Sequence, residues 1–179
     1  MTVDILKQFE AVPAAYPDAP LGLSQDAAAL DADMIWARIE DYCAHRWTAR
    51  EVVWTLLGDG GDQWHPPLTP IVSREGHVWR EEWVPVSLLD GPLGIILPHD
   101  GTFKITAQVG GGDVPAAVLG AFTRLAEYSA ETEERAGATD YSVNLGGAIQ
   151  ESYRRYPSWL ARAMQYSGAA DLLRPYRRA

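Results

Sequence analysis

Hydrophobic positions change period twice along this 179-residue chain. Residues 24–45 carry apolar side chains at helical spacing. Leu30, Met34 and Ala37 form one stripe, and Ile35, Ile39, Tyr42 and Cys43 widen it. Ser24 has the side chain of an N-cap, and the acidic stretch 31–33 predicts a bend or split in the helix. The period then falls to two. Residues 51–57 (EVVWTLL) are β-branched and aromatic and predict a strand. Residues 58–70 are crowded with Gly, Asp and Pro and read as a loop. Residues 71–84 predict a hairpin turning at Glu75-Gly76, and residues 86–97 a second one turning at Asp90-Gly91. Residues 102–109 (TFKITAQV) alternate cleanly, with Phe103, Ile105, Ala107 and Val109 on the face to be buried.

The helical period returns at residues 115–135. Asp113 is placed to cap that helix and Pro115 to occupy its first turn. Val118, Phe122, Leu125 and Ala126 share one side. Residues 137–147 read as a flexible loop, and 148–156 and 157–166 as short helices or turns. At the other end, residues 1–12 predict a short helix. Pro13, Pro17 and Pro20 make residues 13–22 a linker or an extended crossing. The fold class expected is α+β: a small helical bundle with an inserted antiparallel β unit and an extended C-terminal arm. The divisions are an N-terminal segment (1–23), a main domain (24–166, with its β insertion at about 50–109) and the arm (167–179).

Charge changes this picture at the C-terminus. The chain holds 24 Asp+Glu against 15 Lys+Arg. Residues 151–179 reverse that balance, with six arginines against Glu151 and Asp171, a net of +4. The preceding 150 residues are left with 9 basic and 22 acidic groups, a net of −13. A cationic arm on an anionic body suits one partner for the arm and a different environment for the body. Within the arm, Leu172, Leu173 and Tyr176 are apolar anchors, and Pro175 prevents a continuous helix. Arg174, Arg177 and Arg178 are directional donors for carboxylates, and Gly168 allows a hinge. A tail folded back on its own acidic body, or a frayed terminus, is the alternative.

Enzyme chemistry finds little support. The motifs G-x-S-x-G, G-x-x-x-x-G-K-[ST], H-E-x-x-H and G-x-G-x-x-G do not occur. Gly110-Gly111-Gly112 lies between a strand and a helix, but Asp113 follows directly and would repel a phosphate. That triplet reads as a strand-ending turn. His45, His65, His77 and His99 are far apart, and a lone Cys43 can form neither an intrachain disulfide nor a cysteine metal cluster. No catalytic residue, metal or cofactor is expected. Single-cysteine usage fits a reducing compartment. The opening MTVDILKQFEAV lacks the basic and apolar regions of a secretory signal, and no run approaches the roughly 18 apolar residues of a membrane span. A body this acidic is a poor groove binder for nucleic acid.

The order of motifs is nonetheless informative. IEDYCAHRW leads to REVVWTLLGDG, a loop ending WHPPLTPI, a strand pair, and FKITAQVGGGDVPAAVLGAFTRLAEY; the chain closes on SGAADLLRPYRRA. This series, over roughly residues 30–179, resembles the head–tail connector (adaptor) proteins of long-tailed phages and of alphaproteobacterial gene transfer agents, the latter branch more closely. The resemblance implies a structural virion component in the neck of a phage-like particle. It implies a ring, usually twelve-fold, that sits beneath the portal and joins it to a stopper or tail-side connector. DNA would pass only as cargo. Residues 167–179 would dock into the portal, with Leu172, Leu173, Arg174, Pro175, Tyr176, Arg177 and Arg178 as the portal-binding residues. Two rivals remain at this point: a ligand-binding or enzymatic α+β domain with a pocket among Trp36, Trp47, Trp54 and Trp64, and a monomeric interaction protein.

Overall fold

A computed structural model describes residues 3–130, 140–145, 149–154 and 162–177. The chain divides into two compact units, one of Met1–Pro17, Glu40–Asp113 and Arg178–Ala179, the other of Asp18–Ile39 and Val114–Arg177. The architecture is α+β, as the two periods predict.

The first unit is built on a five-stranded antiparallel sheet. Its strands are β1 (Asp4–Glu10), β2 (Arg50–Gly58), β4 (Ile71–Arg80), β5 (Glu82–Val86) and β8 (Gly101–Val109), in the order β1-β2-β8-β4-β5. A smaller sheet, in the order β3-β7-β6, joins β3 (Gln63–Trp64), β7 (Gly94–Ile96) and β6 (Leu89–Gly91). The alternation read from β8 holds, because Phe103, Ile105, Ala107 and Val109 are all buried. They form one hydrophobic cluster with Val52, Trp54 and Leu56 of β2, Val78 of β4, and Trp64, Leu68, Ile95 and Leu97. Trp54 and Trp64 meet edge to face at 5.2 Å.

Three sequence expectations change here. Residues 4–10 are a strand, not a helix. Ile5, Leu6 and Phe9 have helix-like spacing, but the backbone pairs along β2, and Trp54 Nε1 donates to Gln8 Oε1 at 2.8 Å. The sheet therefore extends outside the 50–109 interval. The first hairpin turns at Glu81, which has a left-handed φ of 66°, and not at Glu75-Gly76. Gly76 lies within β4 because Leu88 packs where a β-carbon would stand. The second hairpin joins Leu89–Gly91 to Gly94–Ile96 and turns just beyond Asp90-Gly91, at residues 92–93.

In the second unit, α1 (Gln25–Ala28) is capped by Ser24, whose Oγ accepts from the Ala27 amide at 3.2 Å. The helix α2 (Ala32–Cys43) follows after a break at residues 29–31, as the acidic stretch predicts. Its buried positions are Ile35, Trp36, Ile39, Glu40 and Cys43. Met34 is exposed, so the Leu30–Met34–Ala37 stripe is not the core face. The wider stripe spaced at 35, 39 and 43 is the one that packs. The central helix α3 (Ala116–Ala130) buries Val118, Ala121, Phe122, Leu125, Ala126 and Ala130. The Pro115 carbonyl accepts from Val118 and Leu119, so Pro115, and not Asp113, stands at the cap of this helix. Trp36 lies 4.9 Å from Phe122, ring to ring. The short helices α4 (Ala163–Tyr166) and α5 (Ala169–Leu173) also pack on α3.

Strands β9 (Asp140–Leu145) and β10 (Ile149–Arg154) form an antiparallel hairpin where a loop and a short helix were expected. The sequence does alternate Tyr141, Val143 and Leu145 with Ser142 and Asn144, a period of two that flanking glycines disguise as loop.

Candidate functional site

The C-terminal segment is the place to look first. It was expected to be extended, yet in the single chain Ala169–Leu173 is helical and Arg174–Tyr176 is a 3₁₀ turn. Two short-range devices build it. The Ser167 Oγ accepts from the Ala169 amide at 3.2 Å, and the Arg177 amide donates back to the Leu173 carbonyl at 3.1 Å. Pro175 stands inside the 3₁₀ turn, where its missing N–H is harmless, and α5 ends before it. Leu173 is fully buried. Leu172 is half-buried, and its Cδ1 would meet a β-carbon added to Gly120 of α3 at 3.4 Å. The Arg124 guanidinium donates to the Gly168 carbonyl at 3.3 Å, which ties the head of the segment to α3.

Six of the seven portal-docking candidates are thus contiguous on α5 and its turn, and Arg178 lies outside the described residues. Arg174, Pro175 and Arg177 are exposed, and Tyr176 and Leu172 are half-buried. The second unit also exposes Arg124 and Arg162, the latter 3.3 Å from the Tyr166 hydroxyl. Asp171 is an exposed acid within the segment. The segment therefore presents guanidinium donors to solvent while an inner leucine holds it in place.

A second cluster, in the first unit, escaped the sequence reading. Glu10, Glu40, Asp41, Arg46 and Arg50 converge from β1, the end of α2, the following loop and β2. Arg46 meets Glu10 at 2.6 Å and Asp41 at 3.0 Å, and Arg50 meets Glu10 at 3.1 Å and also pairs with Glu40. Glu40 further accepts from the amides of Trp47 and Thr48 at 2.7 and 3.1 Å. Tyr16 lies beneath Arg50, 5.5 Å from guanidinium carbon to ring centroid. Burial pushes the Glu40 carboxyl above its ordinary value against the pull of Arg50. Burial also acts to raise Glu10, but hydrogen bonding and charge from Arg46, with Arg50 behind them, outweigh it and hold Glu10 low. Every Glu40 contact is made with the chain itself, so the cluster is a latch on the α2–β2 turn and the end of β1. The one sequence signal for it was Glu40, a carboxylate inside an apolar helix face. Its partner Arg50 stands 10 positions away, and Glu10, which Arg50 also meets, stands 30 away on the other side, too far for pattern reading.

All four tryptophans of the rival pocket are buried; Trp36 belongs to the second unit, and Trp47, Trp54 and Trp64 to the first. His45 stacks on Trp47, His65 meets the Leu93 carbonyl and His99 meets the Asp100 carbonyl, so the three serve separate local roles. Among the described residues no group of three or more His, Cys, Asp or Glu side chains could hold a metal ion. The glycine triplet is a strand-ending turn. Gly110 and Gly111 spend their amides on the carbonyls of Pro70 and Arg46, and the Thr48 carbonyl occupies the space a Gly110 β-carbon would need. No helix among the described residues is long and apolar enough to cross a membrane.

No family model matches the sequence, and no curated protein is similar to it. Solved structures are more informative. A chain in the virion of a native gene transfer agent particle aligns over 100% of this chain and 96% of its own, with a TM-score of 0.54 and 20% identity. At that identity the likeness is one of fold, and it runs the full length of both chains. Looser likenesses are found in the neck of the native particle computed with C12 symmetry (TM-score 0.48, 18% identity, 83% of this chain and 80% of that one) and in the neck of the empty particle computed with C6 symmetry (0.46, 19%, 93% and 95%).

Proposed function

We propose that this protein is a structural head–tail connector of a phage-like or gene-transfer-agent particle. It forms a ring beneath the portal, joins it to the stopper or tail, and carries out no catalysis. Its place is the particle neck, and DNA crosses the ring only as cargo. The observation that carries the reading is the full-length fold likeness to a gene transfer agent virion chain at a TM-score of 0.54. The charge layout supports it. An acidic body does not grip DNA, and a cationic terminus suits carboxylates on a partner.

Portal docking belongs to the C-terminal segment. In the conformation described, Leu173 anchors the segment internally and Leu172 and Tyr176 are half-buried, while Arg174, Pro175 and Arg177 are exposed; Arg178 comes next in the sequence. Arginine forks suit partner carboxylates, and repetition around a ring multiplies a weak single contact into a stable joint. The test is co-sedimentation with the portal ring of the same particle. The full chain should bind, and Arg174→Glu/Arg177→Glu should lose at least tenfold in apparent affinity while unfolding at the same temperature. A double variant that binds as well as the parent contradicts this docking role.

A further inference from the structure

The five-stranded sheet has unlike ends. At the β1 end, Leu6 and Phe9 are each 57% exposed and Leu57 of β2 is 45% exposed. Phe9 and Lys7 pair with Val53 and Thr55, so they share the outer face with Leu57, opposite the buried Val52, Trp54 and Leu56. Lys7 is exposed and stands among these apolar groups, with Asp4 at the start of the strand. Continuing along the same row, Thr55 pairs with Lys104, so the chain's two lysines lie on one face of one sheet. At the β5 end, Trp79 is 51% exposed and meets Trp83, its cross-strand pair on the outer face, at 5.2 Å, and the β4–β5 turn projects Arg80, Glu81 and Glu82.

Glu81 is the informative residue there. It adopts a φ of +66°, a conformation that favours glycine or asparagine and strains a glutamate. No hydrogen bond within the turn requires a carboxylate there for the hairpin to form; a glycine would close it more cheaply. A strained glutamate beside a second glutamate, at an exposed tip flanked by apolar side chains, points to an external cation.

We propose that copies of this chain associate head to tail through the two ends of this sheet, with Glu81 and Glu82 of one copy meeting Lys7 of the next. Trp79 and Trp83 of the first copy then cover Leu6, Phe9 and Leu57 of the second. The proposal rests on the ring reading above and names its lateral contact. Unlike surfaces that meet by rotation generate a closed ring, whereas a self-complementary patch would give only a dimer. The contact is made by side chains and not by a continued β ladder, because Pro85 in the edge strand β5 has no N–H to donate. Each apolar patch would otherwise leave large hydrophobic groups in water.

Zero-length carbodiimide coupling tests this on the full chain, because it joins carboxylates only to amines in direct contact and the chain offers just two lysines. An equal mixture of isotopically light and heavy protein, coupled over a concentration series, should give mixed-label peptides joining Lys7 to Glu81 or Glu82. Lys7→Glu and Glu81→Lys/Glu82→Lys should each abolish those peptides and the accompanying oligomer, and combining the reversed charges in one chain should restore the oligomer. Mixed-label peptides through other residues overturn the contact but leave the ring reading standing. Oligomers that persist in both charge variants do the same. A chain that stays monomeric at every concentration and gives no interchain peptide even when added to portal rings overturns both. Lys7 coupled to a portal carboxylate, or shielded by bound DNA, assigns the face to another occupant and overturns the contact.

Discussion

At the scale of single residues, the first unit depends on a latch whose two carboxylates are pushed in opposite directions. Glu40 is buried and held high, whereas Glu10 is half-buried and held low by Arg46 and Arg50. Their contributions to stability therefore oppose one another. Because Glu10 titrates below its ordinary 4.5 in the folded chain, its contribution is present above 4.5 and is lost as pH falls through the lowered value. Glu40 behaves the other way: its contribution is present below 4.5 and is lost as pH rises through the raised value. A pair of this kind is strongly destabilising to break on one side only, by about 3–5 kcal/mol for fully buried partners, because a charge is then stranded. For Glu10→Gln we expect a loss of stability that is largest near neutral pH and shrinks toward zero in acid. Urea unfolding across a pH series measures it, and a difference that stays constant with pH would contradict the role given to Glu10. None of this was legible in the sequence except as one carboxylate among apolar neighbours.

At the scale of elements, pattern reading succeeded where one face of a segment is buried. The run 102–109 alternates because its sheet is covered on one side, and the β8 burial follows that alternation residue by residue. Helix α3 was recognisable for the same reason, with a stripe of 3.6-residue period. The reading failed where burial does not decide. Every residue of β1 from Asp4 to Phe9 is exposed, so its apolar spacing carries no structural information, and backbone pairing to β2 alone makes it a strand. Glu75-Gly76 looked like turn chemistry, but that glycine serves a close packing contact with Leu88. The C-terminal segment is a further case. Its charge and its Pro175 suggested an arm, whereas the buried Leu173 and the Arg124–Gly168 hydrogen bond hold it on α3. Truncation of a buried leucine to alanine costs about 2–5 kcal/mol, depending on how far the site collapses. Leu173→Ala should therefore loosen α5 and its turn, with amide exchange at residues 169–177 rising toward that of an unfolded chain. Unchanged protection there would show that the segment is held by something other than this side chain.

At the scale of the whole molecule, the account is one of unlike surfaces assigned to unlike neighbours. The −13 carried by residues 1–150 and the +4 of residues 151–179 separate an acidic body from a cationic terminus, the layout on which the proposed connector role draws. The fold class was legible from the two hydrophobic periods, and the resemblance in motif order is joined by a full-length fold likeness to a virion chain. What composition could not reveal is where the tail rests in the single chain, since that depends on packing of Leu173 against residues far away in sequence. A density map of the assembled particle's neck, with this chain built into it, tests the connector assignment most directly. The account predicts a ring of copies under the portal, with Arg174 and Arg177 of each copy within ion-pair distance of portal carboxylates. A ring whose C-terminal arginines face solvent or their own subunit, or a neck that lacks the chain, would contradict it.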